Sequence, residues 1–243
     1  MRRSKPISAQ WFEYARHGDA DVLEEKSGIL PPPEGSEVTV EVITTAINHA
    51  EVRLRNGDEP SWVDEPFPRR SGSDFAGIVV AVGPDVHGLS LGSEVIGHTR
   101  AGAHATHVTV PVASLIPKPR SVSWEVAGGM FLAGVTALDL LDDLRIEEGD
   151  TVVVSAAAGG VGSIQVQLAK HRGAKVIGTC GDRNFDYLRQ LGIAPVRYGD
   201  GLLDKIRRIA QGPVTAYIDN FGKDGAGIAQ ELGVPETRYR SAD

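Results

Sequence analysis

The stretch that decides the fold is Thr151-Val152-Val153-Val154-Ser155-Ala156-Ala157-Ala158-Gly159-Gly160-Val161-Gly162, running on into Ser163-Ile164-Gln165-Val166-Gln167-Leu168-Ala169-Lys170. Its opening Thr-Val-Val-Val is an apolar run of the kind a parallel sheet buries on both faces. A turn of small residues follows, and a helical pattern then extends from Gly160 to His171. At such a junction, Gly159 and Gly160 let backbone N–H groups approach a phosphate and Gly162 lets the helix pack close to the strand. The helix N-terminus adds partial positive charge. The spacing is that of G-x-G-x-x-G with Ala157 in the first position, a change of one methyl group. Ala157, Gly159, Gly160, Val161 and Gly162 are therefore the expected cradle of a dinucleotide pyrophosphate.

Glycine clusters also build tight turns that bind nothing, so the surroundings matter. After Thr151–Ser155 and the helix from Gly160 to His171, strands are expected at Lys175–Thr179, Pro195–Tyr198 and Thr215–Asp219. Helices are expected at Asn184–Leu191 and Leu202–Ala210. This alternation predicts parallel strands with crossover helices, a doubly wound Rossmann sheet. Upstream the texture is β. Val38–Ile43 and Gly77–Val82 are short apolar or alternating runs beside turn residues such as Pro31-Pro32-Pro33 and Gly83-Pro84, with further strands expected at Glu94–Gly97 and His107–Val112. Short strands at this spacing suggest a small barrel-like β domain. Residues 56–70, rich in Pro, Asp and Glu, read as a surface loop. A single helix is expected from Trp124 to about Leu141, and Pro117-Lys118-Pro119 marks the hinge, giving domains of 1–120 and 121–243.

Composition narrows the function classes. Lys and Arg total 25 against 32 Asp and Glu, a formal charge of −7 with no long run of either sign. Nucleic-acid binding, which draws most of its affinity from a basic surface, is disfavoured. The lone Cys180 rules out an internal disulfide framework and a four-cysteine zinc site, and fits a reducing cytoplasm. Met1-Arg2-Arg3-Ser4-Lys5-Pro6 is basic, but no apolar run of signal-peptide length follows before Glu13 and Arg16, and no segment approaches a membrane span.

At the end of the second Rossmann strand, NAD enzymes carry an acid that binds the ribose 2′-hydroxyl and repels a 2′-phosphate. Here Val176-Ile177-Gly178-Thr179 ends on the uncharged Cys180, and Arg183 follows three residues on. NADPH is the expected cofactor, with Thr179 and Arg183 at the ribose end. Asp182 lies close enough in sequence to act as a displaced ribose acid.

The stretch Glu148-Gly149-Asp150-Thr151 through Gly162 and Gln165-Val166-Gln167-Leu168-Ala169-Lys170 resembles the quinone oxidoreductase branch of the medium-chain dehydrogenases/reductases. Upstream, Ala46-Ile47-Asn48, Gly72-Ser73-Asp74-Phe75-Ala76-Gly77 and Gly92-Ser93-Glu94-Val95-Ile96-Gly97 match that family in order and spacing. The resemblance spans roughly residues 20 to 235. It implies a GroES-like β domain on the substrate side of a cleft and a Rossmann domain carrying NAD(P)H. It places Asn48 near the nicotinamide and substrate, Thr136 toward the carboxamide and Tyr198 near the adenosine phosphate. The positions that hold catalytic zinc in related alcohol dehydrogenases match Asn48 and Ser73, neither a usual zinc ligand, so no metal is expected. His104 and His107 are the only close histidine pair, and both read as surface or loop residues. Glu51 takes the place of an aspartate common in relatives, with His49 in an exposed-looking loop, and no residue is assigned as proton donor.

The implied activity is zinc-independent hydride transfer from NADPH to a small quinone or α,β-unsaturated carbonyl. The rival is an inactive nucleotide-binding or sensory protein that keeps only the pyrophosphate site. Four Rossmann strands are counted before Asp219-Asn220-Phe221-Gly222, with at most a fifth beyond, so a partial Rossmann domain is expected, short by on the order of 60 residues. That part would complete the cleft and, in dimeric relatives, supply the edge strand of a homodimer.

Overall fold

The computed structural model describes residues 5–242 apart from 59, 61, 62 and 64. The basic residues Met1-Arg2-Arg3-Ser4, and those four positions of the expected loop, lie outside the described residues. The chain divides into two compact units, the first ending at Leu132 and the second beginning at Ala133.

The first unit contains β1 (Ile7–Tyr14), β2 (Glu24–Leu30), β3 (Glu37–Thr45), α1 (His49–Asn56), β4 (Arg69–Arg70), β5 (Asp74–Val82), β6 (Glu94–His98), β7 (His107–Pro111), β8 (Leu115–Pro117) and α2 (Trp124–Gly128). Its antiparallel strands form a five-stranded sheet in the order β7-β3-β5-β6-β8 and a three-stranded sheet in the order β2-β1-β4. Alternate residues of β3, β5 and β7 point inward, and Val38, Val40, Phe75, Val79, Val95, Val108 and Val110 make one buried cluster. The first half of β5 is buried on both faces, because α2 sets Ala127 against Ala76 and Ile96.

That packing carries the first unit past the 120/121 division expected from the prolines. It also accounts for a helix break that the apolar pattern hides. The expected helix from Trp124 to Leu141 is two helices, α2 and α3 (Phe131–Asp143). A side chain at Gly128 would strike Thr44, with a Cβ only 2.6 Å from its Cγ2, so a glycine is required where a helix is weakest. The fully buried Asp74 carboxylate then accepts the Leu132 N–H at 3.0 Å and His98 Nδ1 lies 3.0 Å away, fixing the start of α3. Helix α1 itself was not expected; eight polar-rich residues with a single buried side chain carry almost no periodic signal.

The second unit holds β9 (Thr151–Val154), α4 (Gly160–His171), β10 (Lys175–Cys180), α5 (Phe185–Gln190), β11 (Ala194–Arg197), α6 (Leu202–Ala210), β12 (Ala216–Asp219), α7 (Gly225–Glu231) and β13 (Tyr239–Ser241). All five strands are parallel, in the order β11-β10-β9-β12-β13, the expected doubly wound arrangement. Val152 and Val154 pack on one face with Val166, Ala169 and Leu188; Val153 packs on the other with Ile177, Ile206 and Tyr217. Burial on both faces is why the strand reads as unbroken valine.

The last strand escapes a hydrophobic reading because hydrogen bonds, more than burial, hold it. Arg238 donates to Asp150 Oδ1 at 2.6 Å, to Leu144 O at 2.5 Å and to Thr215 O at 3.2 Å, and Arg240 pairs with Asp143. Asp150 also accepts from Thr215 Oγ1 at 2.6 Å and from the Glu147 N–H at 3.0 Å. Burial pushes its carboxyl pKa up, but these hydrogen bonds and the Arg238 charge outweigh it and hold the group below the usual carboxylate value. A depressed carboxylate stabilises the fold above its unfolded pKa of about 4 and loses that contribution as pH falls through the lower folded value. Thermal melts from pH 7 to pH 3 should therefore show a steeper acid loss for the parent than for Asp150→Asn. Arg238→Met should lower stability at pH 7 by about 1–3 kcal/mol, since it strips donors from three part-buried acceptors.

Candidate functional site

Two polar assemblies stand out, one in each unit. In the second, β9 leaves its sheet through Ser155 and Ala156, the latter in the left-handed region at φ 45°. A non-glycine residue there costs about 1–2 kcal/mol, so surrounding packing must impose it. The conformation turns Ala156 O toward α4, and a Cβ at Gly162 would lie 2.3 Å from that oxygen and 2.9 Å from Ala157 Cα. Gly162 is thus demanded by helix-on-strand contact.

Gly160 is different. It is exposed, and a Cβ there would meet nothing within 4 Å. The first-turn N–H groups of α4, at Gly160, Val161 and Gly162, have no acceptor within the helix. An anion is what such a helix start accepts. Ala157, expected among the binding residues, has its N–H bonded to Thr179 O at 3.0 Å and its methyl fully buried. Its part is shape: the methyl fits because Gly178 opposite it has no side chain, where a Cβ would approach to 2.7 Å.

Beside the turn, at the carboxyl ends of the strands, lies a cavity of about 410 Å³ walled by Ser155, Thr179, Tyr198, Asp219, Phe221 and Lys223, among others. Ligands of open α/β sheets bind at this edge, where strand order reverses about the first strand. Tyr198 and Phe221 stack with ring centres 5.7 Å apart, leaving a partly exposed aromatic surface. Asp219, 2% exposed, accepts Ser155 Oγ at 2.7 Å and the Phe221 N–H at 2.9 Å, which sets the turn that presents Phe221. A buried carboxylate in this wall repels phosphate, so the cavity suits the uncharged base and ribose, with phosphates over the α4 start. Burial raises the Tyr198 pKa, helped by Cys180, against smaller opposing contacts with Thr179 and Ala156.

At the ribose end, Thr179 and Cys180 are both 1% exposed. Burial, then Asp182, pushes the Cys180 thiol pKa up. Arg183 is exposed and makes no ion pair among the described residues. Sequence reasoning missed Arg197. It is in register with Cys180 across β10 and β11, and its Nη1 reaches Asp182 Oδ2 at 3.2 Å. Only strand pairing brings it there, from fourteen residues beyond Arg183. Thr136, on α3, is half-buried, and its hydroxyl has no hydrogen bond among the described residues.

In the first unit, Glu51 is the hub. Its Oε1 accepts the Ser73 N–H at 2.9 Å, Ser73 Oγ at 2.5 Å and Asn48 Nδ2 at 3.3 Å; its Oε2 accepts the Asn48 N–H at 3.2 Å. Asn48 Nδ2 also donates to Ser73 Oγ at 3.2 Å. The two positions matching zinc ligands in related enzymes are thus brought together as an amide and a hydroxyl on one carboxylate. His49 is exposed and outside the cluster, whereas His104 lies in a loop, as one of the two expected alternatives has it, and is not a surface residue. Its side chain is 15% exposed, bridges Ser71 Oγ at 2.9 Å and Ala46 O at 2.8 Å, and lies 3.7 Å from Glu51. Among the described residues no group of three or more His, Cys, Asp or Glu has metal-binding geometry, and no helix is long and apolar enough to cross a membrane.

The two glycines separate packing from binding. In urea unfolding, Gly162→Ala should lose about 1–3 kcal/mol through overpacking against Ala156 O, while Gly160→Ala should keep or slightly exceed parental stability.

Comparison with known proteins agrees with this anatomy. Residues 34–120 match the alcohol dehydrogenase GroES-like domain. The chain is 32% identical over 201 residues to the 2-methylene-furan-3-one reductase of Solanum lycopersicum, covering 78% of this chain and 52% of the relative. The same figures hold for the chloroplastic NADPH-dependent alkenal/one oxidoreductase of Arabidopsis thaliana. The chain thus spans about half the length of these curated relatives. Among solved structures, the quinone oxidoreductase of Coxiella burnetii superposes with a TM-score of 0.83 at 27% identity, covering 95% of this chain and 74% of that one. The Escherichia coli quinone oxidoreductase complexed with NADPH superposes with a TM-score of 0.82 at 28% identity, covering 90% and 68% respectively. With its GroES-like sheet domain, its parallel Rossmann sheet and these relatives, the chain belongs to the quinone oxidoreductase-like medium-chain dehydrogenases/reductases.

Proposed function

We propose that this protein is a zinc-independent, NADPH-dependent reductase of quinones or α,β-unsaturated carbonyls. The observation that carries the reading is the start of α4, where the first-turn N–H groups have no acceptor within the helix and Gly160 is exposed, while Gly162 is fixed by packing. A turn that only changed chain direction has no need of both. The names of the relatives, an alkenal/one oxidoreductase and quinone oxidoreductases, one of them with NADPH, support the same substrate class.

NADPH, when bound, supplies the hydride. The residues of the chain bind and orient. Gly159, Gly160, Val161 and Gly162 hold the pyrophosphate; Thr179, Tyr198 and Phe221 wall the adenosine end. Arg183 and Arg197 receive the 2′-phosphate. The Arg197–Asp182 pair joins side chains that are 67% and 61% exposed. Such a pair is worth under about 1 kcal/mol, so a phosphate dianion readily draws the guanidinium away. Thr136 offers an unengaged hydroxyl to the nicotinamide carboxamide. Asn48 is oriented by Glu51 and Ser73. An amide and a hydroxyl are poor zinc ligands, which supports chemistry on acceptors that are electrophilic without a Lewis acid.

Separate titrations with NADPH and NADH should show NADPH bound at least about tenfold more tightly, with Arg183→Met/Arg197→Met erasing the preference and sparing NADH. Equal affinity of the parent for both cofactors contradicts the assignment of the arginines. Loss of NADPH absorbance with a panel of quinones and enones tests the reaction itself. Saturable binding without turnover would leave this chain a nucleotide-binding protein and no reductase.

A further inference from the structure

Gln165 is fully buried on α4, one turn along from the equally buried Gly162. Its Oε1 accepts Asn220 Nδ2 at 2.6 Å, and Asn220 opens the turn that follows β12. The orientation of this pair is set from one end. Asn220 Nδ2 also donates to Ser155 O at 2.9 Å. A backbone carbonyl only accepts, so the amide nitrogen of Asn220 is fixed there and Gln165 must present its oxygen to it. Two atoms are left over: Gln165 Nε2 and Asn220 Oδ1 are both buried without a hydrogen-bond partner.

An unpaired buried donor and an unpaired buried acceptor both cost stability, whereas two apolar side chains of similar size would fill the same space without that cost. Stability therefore does not account for the pair, and position does. The Asn220 N–H donates to Ser155 Oγ at 2.8 Å, and Ser155 Oγ donates to Asp219 Oδ1 at 2.7 Å. The same carboxylate oxygen accepts the Phe221 and Gly222 N–H groups at 2.9 and 3.2 Å. These bonds tie the turn to the end of β9 and to β12; the bond to Gln165 ties it to α4.

We propose that Gln165 is a positioning residue for the nucleotide, holding the Phe221 turn at a fixed separation from the start of α4 so that one ligand meets both at once. The proposal rests on the nucleotide reading above and deepens it. Phosphates over α4 and an adenosine against Phe221 and Tyr198 are two contacts of one molecule. Once the first is made, the second forms at an effective concentration set by how firmly the two surfaces are held relative to each other. Gln165, fully buried, meets no ligand itself. Losing its bond to Asn220 frees the turn, and ordering the turn then opposes binding.

Amide NMR titrations of the parent chain and of Gln165→Met with NADPH and with inorganic pyrophosphate test it, because pyrophosphate needs the α4 start alone. Gln165→Met, similar in size but without the amide, should melt within about 4 °C of the parent. It should bind NADPH at least about tenfold more weakly, while pyrophosphate affinity, read at Gly160, Val161 and Gly162, stays within about twofold. In the free variant the Phe221 and Gly222 amides should already be shifted. Should Gln165→Met fail to fold, Asn220→Ser, at the half-buried end of the pair, is expected to give the same split between the two ligands. A folded variant that weakens NADPH and pyrophosphate alike has a damaged helix start, and one that weakens neither has lost no positioning; either result overturns the proposal. A parent that does not bind NADPH at those amides contradicts the nucleotide reading itself, and the proposal with it.

Discussion

The whole second unit turns on one close approach, that of helix α4 to the end of strand β9. The contact is backbone against backbone: Ala156, held left-handed, points its carbonyl at the α carbon of Gly162, and no side chain fits between them. Fixing that distance puts the free N–H groups of the first helical turn at the carboxyl edge of the sheet, where parallel strands and helix dipoles both favour an anion. Everything else at that edge follows from chain geometry. The crossover helices bring Tyr198 and Phe221 beside the turn, and parallel pairing brings Arg197 beside Cys180. The cost of the strained Ala156 is offset by the packing of Val154, Ala157 and Val166 in one core.

In the first unit a single carboxylate has the corresponding role. Glu51 reaches from α1 to the start of β5 and ties Asn48, Ser73 and the adjoining backbone into one arrangement. A carboxylate with four donors is well satisfied, so the residues around it are held in one orientation by hydrogen bonds.

Much of the fold was legible because it is written in burial. Both faces of β9 are covered, so it reads as valine; α4 and α6 have clear apolar stripes, and their expected limits match the structure. What escaped was held by other forces. Strand β13 is fastened by Arg238 and Arg240, helix α1 by capping and polar contacts, and β2 exposes most of its residues, so none shows a hydrophobic period. The break between α2 and α3 is steric and distant, a Thr44 methyl that only the folded chain sets against Gly128. In the site, the glycine turn was readable as a local pattern, whereas Arg197, Phe221 and the Glu51 hub depend on strands and helices far apart in sequence. The alanine at 157 shows the limit of motif reading, since its tolerance lies in Gly178 rather than in the motif.

The N–H groups at the start of α4 are proposed as a pyrophosphate cradle. Amide NMR of the ¹⁵N-labelled chain during titration with NADPH tests it most directly. Large, saturable shifts are expected for the Gly160, Val161 and Gly162 amides, with smaller ones at Thr179 and Tyr198. Saturable binding that leaves those three amides unmoved would contradict it.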